Sequence, residues 1–514
     1  MPDAADRESE RLLGGAPLYG SVLASPLECA AVTQGNGTSG ELFDNVPHAR
    51  RQLGLASAAL LIFNRVIGTG IFATPSNILH SSGSVGVALL MWILGALIAM
   101  AGTTVYVELG TGLPRSGGEK NYLEYIYRRP KFMVSCSYGG SSATNGIVFG
   151  EYMLHALALP PTAFNTRLAA LICITFSTLM IGVFSRAGTR LLNVLGTFKF
   201  AILAFIAGLG LLSLAGVPGL AVRPGYEVPH NFGWTAMWEG SRGDPNALVL
   251  ALYNVIWSFI GYSNANYALS EVRDPVRTIK RAAPLAIVSV ATVYMLVNVA
   301  YFAVVSKTDI LGSRQIIAAL FFRNLFGPAT ERALSACIAL SSLGNILSVL
   351  FTQSRVIQEL GREGILPASV VFASSKPFGA PLAGLGVLYA TLINTLVSLG
   401  VLLLHTRAYA PWGWAPPFRA PRPVVALFFA SNIFLAVLPL VPPARGERTF
   451  ERIPYYMYPL VTLLASQLGV AYWYIWSVWL PRRRGYALKR EWTLQDDGVS
   501  RYVFIKVPVA IAAQ

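Results

Sequence analysis

Charged residues are scarce in this chain. They make up 13% of its 514 residues, while 54% of the residues are hydrophobic. A soluble globular domain carries about a quarter of its residues as charges, and a chain this apolar cannot bury its surface in one core. The composition therefore excludes an ordinary soluble protein and predicts a multi-pass protein whose solvent is the lipid bilayer.

Acidic residues are fewer than basic ones, with 25 Asp and Glu against 40 Lys and Arg, so the formal net charge is +15. The basic residues stand in short segments between apolar runs, such as 114–131 and 272–281, as is typical of loops facing the cytoplasm. These segments lack interleaved aromatic residues on which bases could stack. We therefore expect no nucleic-acid partner.

Cysteine is also rare. The four cysteines show no metal-ligand spacing and no disulfide framework, so we expect neither a metal nor a cofactor. The motifs HExxH and GxSxG and a P-loop in a suitable context are absent, and the charges inside apolar runs are too scattered for a catalytic cluster. This argues against a membrane-embedded enzyme. The first fifty residues lack a charged segment followed by an apolar one, so we expect no cleavable secretory signal and expect the first apolar span to direct insertion.

Eleven apolar stretches approach the length of about twenty residues that a membrane-spanning helix needs. We predict an all-α integral membrane protein with a disordered cytoplasmic tail at 1–50, a transmembrane domain at 51–480 and a C-terminal tail at 481–514. The third stretch is weak because it begins rich in serine and glycine. The stretches are 55–79, 84–107, 132–159, 168–184, 190–216, 247–270, 284–305, 333–354, 381–404, 423–442 and 454–480.

The first span contains Gly68, Thr69 and Gly70 in its middle. Glycine permits an unwound turn, which frees backbone groups that lipid cannot satisfy, so such a turn survives only around a cavity or a ligand. The amides after the break suit a carboxylate, and the carbonyls before it, around Val66 and Ile67, suit an ammonium group. The same pattern also fits a close helix contact, and the first span alone does not decide between the two interpretations.

The sixth span also has a segment at mid-membrane depth that is unfavourable for a regular helix, because it contains glycine and is rich in polar and aromatic residues. The candidate site residues in it are Trp257, Ser258, Ile260 and Gly261. Two interrupted helices five spans apart are typical of inverted repeats that meet at a substrate site. The repetition favours the binding interpretation over the packing one. Trp257 is then a candidate gate over a bound side chain.

Three charged residues lie inside spans, where charge is costly and usually functional: Arg65, Glu151 and Lys199. Lys199 is a candidate for proton exchange or for a fixed positive charge in place of a bound sodium ion. Arg65 and Glu151 also suit a purely structural ion pair. Glu108 and Glu271 fall at span ends, where we expect them at the membrane interface.

Five motifs resemble those of the amino acid–polyamine–organocation superfamily, and within it the L-type branch and the fungal methionine permeases. The resemblance extends from about residue 44 to 480. The motifs are 67–72 (IGTGIF), 108–122 (ELGTGLPRSGGEKNY), 189–199 (TRLLNVLGTFK), 266–277 (NYALSEVRDPVR) and 354–367 (SRVIQELGREGILP).

The resemblance implies a leucine-transporter-like bundle of two inverted five-helix repeats followed by two further helices. It places Val66, Thr69 and Gly70 among the substrate ligands and Trp257 at the aromatic gate. It also matches Lys199 to a lysine that fills a sodium site, which argues against sodium coupling. Ile260 departs from the glycine that relatives often have there, so the resemblance does not identify the substrate.

The chain shows about 11 spans where the family has 12, because residues 381–404 resemble the start of the ninth span joined to the end of the tenth. A deletion or a wrongly spliced gene model would explain this, and would make an inactive product possible. Animal L-type relatives bind a glycoprotein through a cysteine between the third and fourth spans. The corresponding segment 160–167 has none, so no disulfide-linked heavy chain is expected.

The resulting hypothesis is a plasma-membrane secondary transporter that imports a neutral amino acid, methionine by resemblance, through alternating access. We expect a proton symporter, with Lys199, Glu151 and Arg65 as ion-coupling candidates. The alternative is a non-transporting amino acid sensor of the same fold, which binding without flux would favour.

Overall fold

The structure is a computed structural model. It describes residues 51, 53–127, 143–312, 317–327, 329–363, 393–406, 409, 414–437, 467, 470–494 and 500–508.

The described residues are predominantly helical, and their α-helices are numbered here in chain order. The first eight are α1 Leu55–Val66, α2 Gly70–Ala73, α3 Pro75–Ser82, α4 Val85–Gly112, α5 Glu119–Ile126, α6 Ala143–Ala156, α7 Ala163–Gly182 and α8 Ser185–Leu214. The rest are α9 Trp234–Trp238, α10 Pro245–Phe259, α11 Pro275–Val304, α12 Lys307–Gly312, α13 Ile317–Phe326, α14 Ala329–Arg362, α15 Ile393–Leu404, α16 Arg422–Val437 and α17 Leu480–Arg484. A 3-10 helix covers Asn264–Glu271 and a π-helical turn covers Ile475–Trp479.

Seven helical segments of the described residues are long and apolar enough to cross a membrane. They match predicted stretches along the first two thirds of the chain and confirm the prediction of a helical membrane protein. The segments are Leu55–Ala73, Val85–Gly112, Ala163–Gly182, Arg186–Leu214, Ala247–Glu271, Pro275–Val304 and Thr330–Arg362.

The starts of several long helices follow from local side-chain chemistry. Ser84, Thr162 and Asp244 each precede a helix and accept a hydrogen bond from the backbone amide three residues later. Such caps satisfy amides that have no partner inside the helix. Proline follows the cap of α10 and opens α11, where its missing amide costs nothing.

Helices α11 and α14 form the inside of the bundle. Helix α11 packs on α1, α4 and α8, and α14 packs on α1, α6, α7 and α8. An aromatic cluster of Trp92, Phe259 and Tyr294, with ring centroids 5.1–6.1 Å apart, joins α4, α10 and α11. The two central helices therefore touch both segments in which the sequence predicts a break.

The C-terminal tail forms an antiparallel hairpin of β1 Tyr486–Leu494 and β2 Ser500–Pro508, which the sequence analysis did not predict. Phe504 donates its backbone amide to the Glu363 carbonyl at 2.9 Å, just beyond the end of α14. The Phe504 ring also packs with Trp476 near Val356 and Leu360. The hairpin adds a small sheet to an otherwise helical fold.

The expectation that Glu108 lies at the membrane interface is wrong. Glu108, near the end of α4, is completely buried. Its carboxylate oxygens lie 2.7 Å from His405 Nε2, 3.0 Å from Trp414 Nε1 and 2.7 Å from the Ala420 amide. These partners satisfy the buried carboxylate and connect α4 to the segment between α15 and α16.

Several predictions fall outside the described residues. They concern the disordered tail at 1–50, the start of the third stretch at 132–142, the join of the ninth and tenth spans before residue 393, and most of the eleventh stretch at 454–480.

Candidate functional site at two broken helices

The first span is interrupted where its glycines predict a break. Helix α1 ends at Val66, and Ile67 then adopts an extended conformation with φ −78° and ψ 94°. Helix α2 begins at Gly70, after Thr69, and no side chain caps its first amides. Residues 67–69 thus form a non-helical turn in the middle of the span, which confirms the predicted unwinding.

The sixth span is interrupted in the same way. Helix α10 ends at Phe259, and Ile260 leaves helical geometry with φ −58° and ψ 126°. Gly261 follows with φ +130°, a conformation that residues with a side chain rarely adopt. The chain continues as the 3-10 helix, which contains a further kink at Ala268.

The two breaks touch each other. A Cβ built on Gly70 would lie 2.6 Å from Ser258 Oγ, and one built on Gly261 would lie 2.5 Å from Arg65 Cγ. Ser258 Oγ also lies 3.1 Å from Thr74 Oγ1. Close helix approach is therefore a real role of the glycines, in addition to the unwinding.

Side chains from neighbouring helices satisfy backbone carbonyls that the breaks leave exposed. Lys199 Nζ, fully buried on α8, donates to the carbonyls of Ile67 at 2.5 Å and Asn64 at 3.1 Å. Tyr294 Oη lies 3.1 Å from the Val66 carbonyl and 3.2 Å from the Ser258 carbonyl. The Tyr294 hydroxyl, which has one hydrogen to donate, thus lies between carbonyls at the ends of both broken helices.

A polar stripe on α14 provides further donors to the same region, and the sequence analysis missed it. Its four members are spaced four, three and four residues apart, so they lie on one face of the helix. This spacing of polar residues within an apolar span is a signal that the sequence alone contains. The bonds are Ser341 Oγ to Gly68 O at 3.1 Å, Asn345 Nδ2 to Arg65 O at 2.6 Å, Ser348 Oγ to Leu61 O at 3.2 Å and Thr352 Oγ1 to Asn264 Oδ1 at 3.1 Å.

One polar group at the first break stays without a protein partner. The Thr69 side chain is 1% exposed, and its hydroxyl has no hydrogen bond to any described residue. A buried hydroxyl that forms no hydrogen bond loses about 1–3 kcal/mol relative to one in water. The hydroxyl thus has free capacity to bind a polar ligand or a water molecule.

The remaining candidate ligands divide into buried and exposed residues. Val66, Ile67, Gly68, Gly70, Ser258 and Gly261 are buried at the contact between the breaks. Trp257 and Ile260 are exposed by 39% and 43%, so neither is enclosed by neighbouring helices. The gating role of Trp257 stays a prediction.

The three charged candidates do not form one cluster. Lys199 is buried against the first break and Arg65 packs on Gly261, whereas Glu151 lies exposed on α6. Within the described residues Arg65 and Glu151 form no ion pair. The structural interpretation of these two residues as a buried pair therefore has no support.

The start of the first span and the end of the sixth span are joined to each other. The distribution of basic residues among the loops predicts that both face the cytoplasm. Leu53, before α1, forms a parallel β-bridge with Val272, just after the 3-10 helix. Arg355 on α14 pairs with Glu271 at 2.7 Å. Lys120 on α5 pairs with Glu363 and, at 2.9 Å, with Glu124. The first two contacts hold the start of α1 and the last turns of α14 against the end of the sixth span, and the Lys120–Glu363 pair joins α5 to the end of α14.

Several transporters are similar to this chain in sequence. The high-affinity methionine permease of Saccharomyces cerevisiae is 40% identical over 491 residues, which cover 89% of this chain and 84% of the relative. The low-affinity methionine permease of the same yeast is 28% identical and covers 91% of this chain and 89% of that one. The b(0,+)-type amino acid transporter 1 of Mus musculus is 28% identical over 83% of this chain and 90% of its own length.

The family model for amino acid permeases matches residues 53–465, which is most of the chain and includes both breaks. This match and the 40% identical relative confirm the predicted resemblance and the expectation of a transporter rather than an enzyme. The chain therefore belongs to the amino acid permease family, whose members carry amino acids across membranes.

Proposed function

We propose that this permease imports a neutral amino acid, with methionine as the leading candidate, across the plasma membrane by alternating access and in symport with protons. The unpartnered Thr69 hydroxyl inside the first break is the observation that carries the site assignment. Methionine is favoured because a methionine permease is 40% identical over 89% of the chain.

The geometry suits an amino acid zwitterion. Backbone amides at the start of α2 carry partial positive charge and are not capped by a side chain, so they suit the substrate carboxylate. The Thr69 hydroxyl stands next to them as an additional donor. Carbonyls at the ends of α1 and α10 suit the ammonium group, since each carbonyl oxygen has a second lone pair beyond the bond already formed.

Lys199 supports coupling to protons rather than to sodium. Its ammonium group contacts two carbonyl oxygens of the first break, and carbonyl oxygens are also the ligands that hard cations prefer. A cation fixed to the chain at this point competes with a bound metal ion. Trp257, at the last turn of α10, is proposed to close over the substrate side chain.

The test is uptake of radiolabelled methionine by proteoliposomes containing the purified chain, with the other amino acids as competitors. Counterflow, which needs no ion gradient, shows whether the chain transports. Accumulation with an inward pH gradient, with and without a proton uncoupler, shows whether protons drive it. Replacing sodium by choline should change neither measurement.

Each outcome has a distinct meaning. Binding of methionine without counterflow would overturn transport and favour a sensor. Counterflow together with accumulation that persists after the uncoupler would retain transport and overturn proton coupling. Counterflow that another neutral amino acid inhibits much better than methionine would overturn the substrate assignment only.

A further inference from the structure

Besides Glu108, a second glutamate, Glu119, is buried near the breaks, and it has no part in the proposed substrate site. Glu119, the first residue of α5, is 6% exposed. One of its carboxyl oxygens, Oε1, lies 2.9 Å from Tyr106 Oη on α4 and 2.7 Å from Tyr267 Oη on the 3-10 helix. Ser263 Oγ, in the turn after α10, lies 3.4 Å away. Three hydroxyl groups thus converge on one oxygen atom.

The donors and acceptors in this cluster favour a protonated Glu119 carboxyl. Tyr106 Oη has one hydrogen but lies within bonding distance of two acceptors, Glu119 Oε1 and Asn394 Oδ1, the latter at 2.7 Å. If Oε1 carries a proton, it donates to Tyr106 Oη, Tyr106 donates to Asn394 Oδ1, and Tyr267 donates to Oε1. Each hydrogen then has one acceptor, and no two lone pairs face each other.

An ionised Glu119 fits less well. It would require the Asn394 amide to rotate so that nitrogen faces Tyr106, and it would place a negative charge in a buried cluster of hydroxyls. An uncompensated buried charge is far costlier than a neutral acid, which is why such groups commonly take up a proton. Burial raises the pKa of the Glu119 carboxyl, although the hydrogen bond from Tyr267 and the one that Tyr106 would donate to the ionised form act in the opposite direction.

Charged side chains on the elements packed around Glu119 have other contacts. Lys120, the next residue on α5, binds Glu124 and Glu363. Arg115, in the loop after α4, faces Tyr122, a further tyrosine that senses the Glu119 charge. Arg65 on α1 faces Tyr267, which connects the first break to the cluster through one tyrosine. Among the described residues, Tyr262 beside the second break is a further titratable neighbour.

We propose that Glu119 holds a proton in this conformation and releases it when the cytoplasmic side of the permease opens. The proposal rests on the proposed alternating access and names the proton site that the symport requires. Two of the hydroxyl groups around Glu119, those of Ser263 and Tyr267, belong to the part of the sixth span that follows its break. Any displacement of that segment changes the surroundings of Glu119 directly.

The step is a simple ionisation. The O–H bond of the carboxylic acid breaks, its electron pair stays on Glu119 Oε1, and the proton passes to cytoplasmic water that enters as the contacts of Lys120 and Arg355 separate. The carboxylate then accepts hydrogen bonds from water and from the tyrosines. A proton from the outer solution restores the acid when the site closes to the cytoplasm.

Infrared spectroscopy tests the protonation state without depending on transport. A protonated carboxyl has a C=O stretching band that a carboxylate lacks. At about pH 7, well above the ordinary glutamate pKa of about 4.3, the wild type should show such a band and Glu119→Gln should lose it. The matched control Glu124→Gln, which changes the same group one turn along α5, should retain it. Identical spectra for wild type and Glu119→Gln would overturn the proposal.

A second variant separates the two hydrogen-bond arrangements and remains informative if Glu119→Gln fails to fold. In Asn394→Leu, Tyr106 loses its other acceptor and can donate to Glu119, which favours the carboxylate. The C=O band should therefore disappear at a lower pH than in the wild type. A band that persists to the same pH or higher would contradict the proposed direction of the hydrogen bonds.

Proteoliposomes test the link to coupling. With one proton moved per substrate, an inward gradient of one pH unit supports about tenfold accumulation, since a tenfold ratio corresponds to about 1.4 kcal/mol. Glu119→Gln should retain counterflow and lose this accumulation, while Glu239→Gln, which changes an exposed glutamate just after α9, retains both. Accumulation by Glu119→Gln at the wild-type level would overturn the inference. Absence of counterflow in the wild type would instead overturn the proposed function.

Discussion

Adding one methyl group at Gly70 tests whether the contact between the two breaks matters for transport. A Cβ at this position would lie 2.6 Å from Ser258 Oγ, 2.9 Å from Ser258 Cβ and 3.0 Å from Ser258 Cα. The last of these is a backbone atom, so rotation of a side chain cannot relieve the clash. Overpacking of this kind costs about 1–3 kcal/mol, and the gain in helix preference from glycine to alanine returns about 0.5–1 kcal/mol.

The expected net cost is about 1–2 kcal/mol, which corresponds to roughly a 5–30-fold smaller population of the competent conformation. The assay is methionine counterflow in proteoliposomes, normalised to the amount of folded protein. Gly208→Ala is the matched control, because nothing lies within 4 Å of a Cβ at that position in α8. Gly68→Ala should fall between the two, because its Cβ would approach only the flexible Asn345 side chain, at 2.9 Å.

A double variant separates packing from binding. Ser258→Gly removes the Oγ and Cβ atoms that Gly70→Ala would clash with, so the pair should recover much of the lost counterflow if packing is the cause. If the pair regains folding but keeps a raised KM, Gly70 also contributes to substrate binding. Wild-type counterflow by Gly70→Ala alone would refute the reasoning, since the backbone contact leaves no room for a silent substitution.

Three further predictions follow from the buried charges. Lys199→Met should reduce counterflow by at least about 100-fold, because two charge-assisted hydrogen bonds to the first break are worth about 1.5–3 kcal/mol each; activity within about threefold of wild type would contradict this. Lys120→Met should lower the thermal unfolding midpoint in detergent, since removing one partner of a buried ion pair costs about 3–5 kcal/mol, and an unchanged midpoint would count against the cytoplasmic contacts. The raised pKa of Glu119 means that the folded state binds its proton more tightly than the unfolded state, so the contribution of Glu119 to stability should be most favourable at low pH and should decline as pH rises above the ordinary glutamate value of about 4.3. Thermal unfolding measured across pH should show a flatter profile for Glu119→Gln, and parallel profiles would exclude this contribution.

The positions of the helices and of both breaks were predictable from the sequence. Long apolar stretches locate the spans because lipid requires them, and Gly68, Gly70 and Gly261 mark points where helix formation is weakest. The backbone conformation of the break at Ile260, and thus the course of the chain after it, was not predictable in this way. It depends on the positive φ of Gly261 and on the packing of Arg65 against that residue, a contact between spans that are far apart in the sequence.

Buried carboxylates were the least predictable part of the site. Glu108 lies near a span end, where an interfacial position is the natural expectation, yet it is buried because His405 and Trp414 supply its hydrogen bonds from about three hundred residues away. Glu119 stands in a loop motif rich in glycine and charge, so nothing local distinguishes it from the solvated residues around it. Its tyrosine partners come from two other elements, and only the fold brings them together.

The first break is maintained by its neighbours as much as by its own glycines. Glycine lowers the cost of unwinding, but an unwound turn in lipid still needs donors for its carbonyls. Lys199, Tyr294 and the polar stripe of α14 supply donors from three separate helices, whereas the Thr69 hydroxyl receives none from the described residues. A substrate bound at the proposed site would therefore meet a turn whose shape is already set by its neighbours and where the Thr69 hydroxyl still has free hydrogen-bonding capacity. This arrangement reduces the ordering that binding requires, and it makes the neighbouring helices part of the site although they need not touch the ligand.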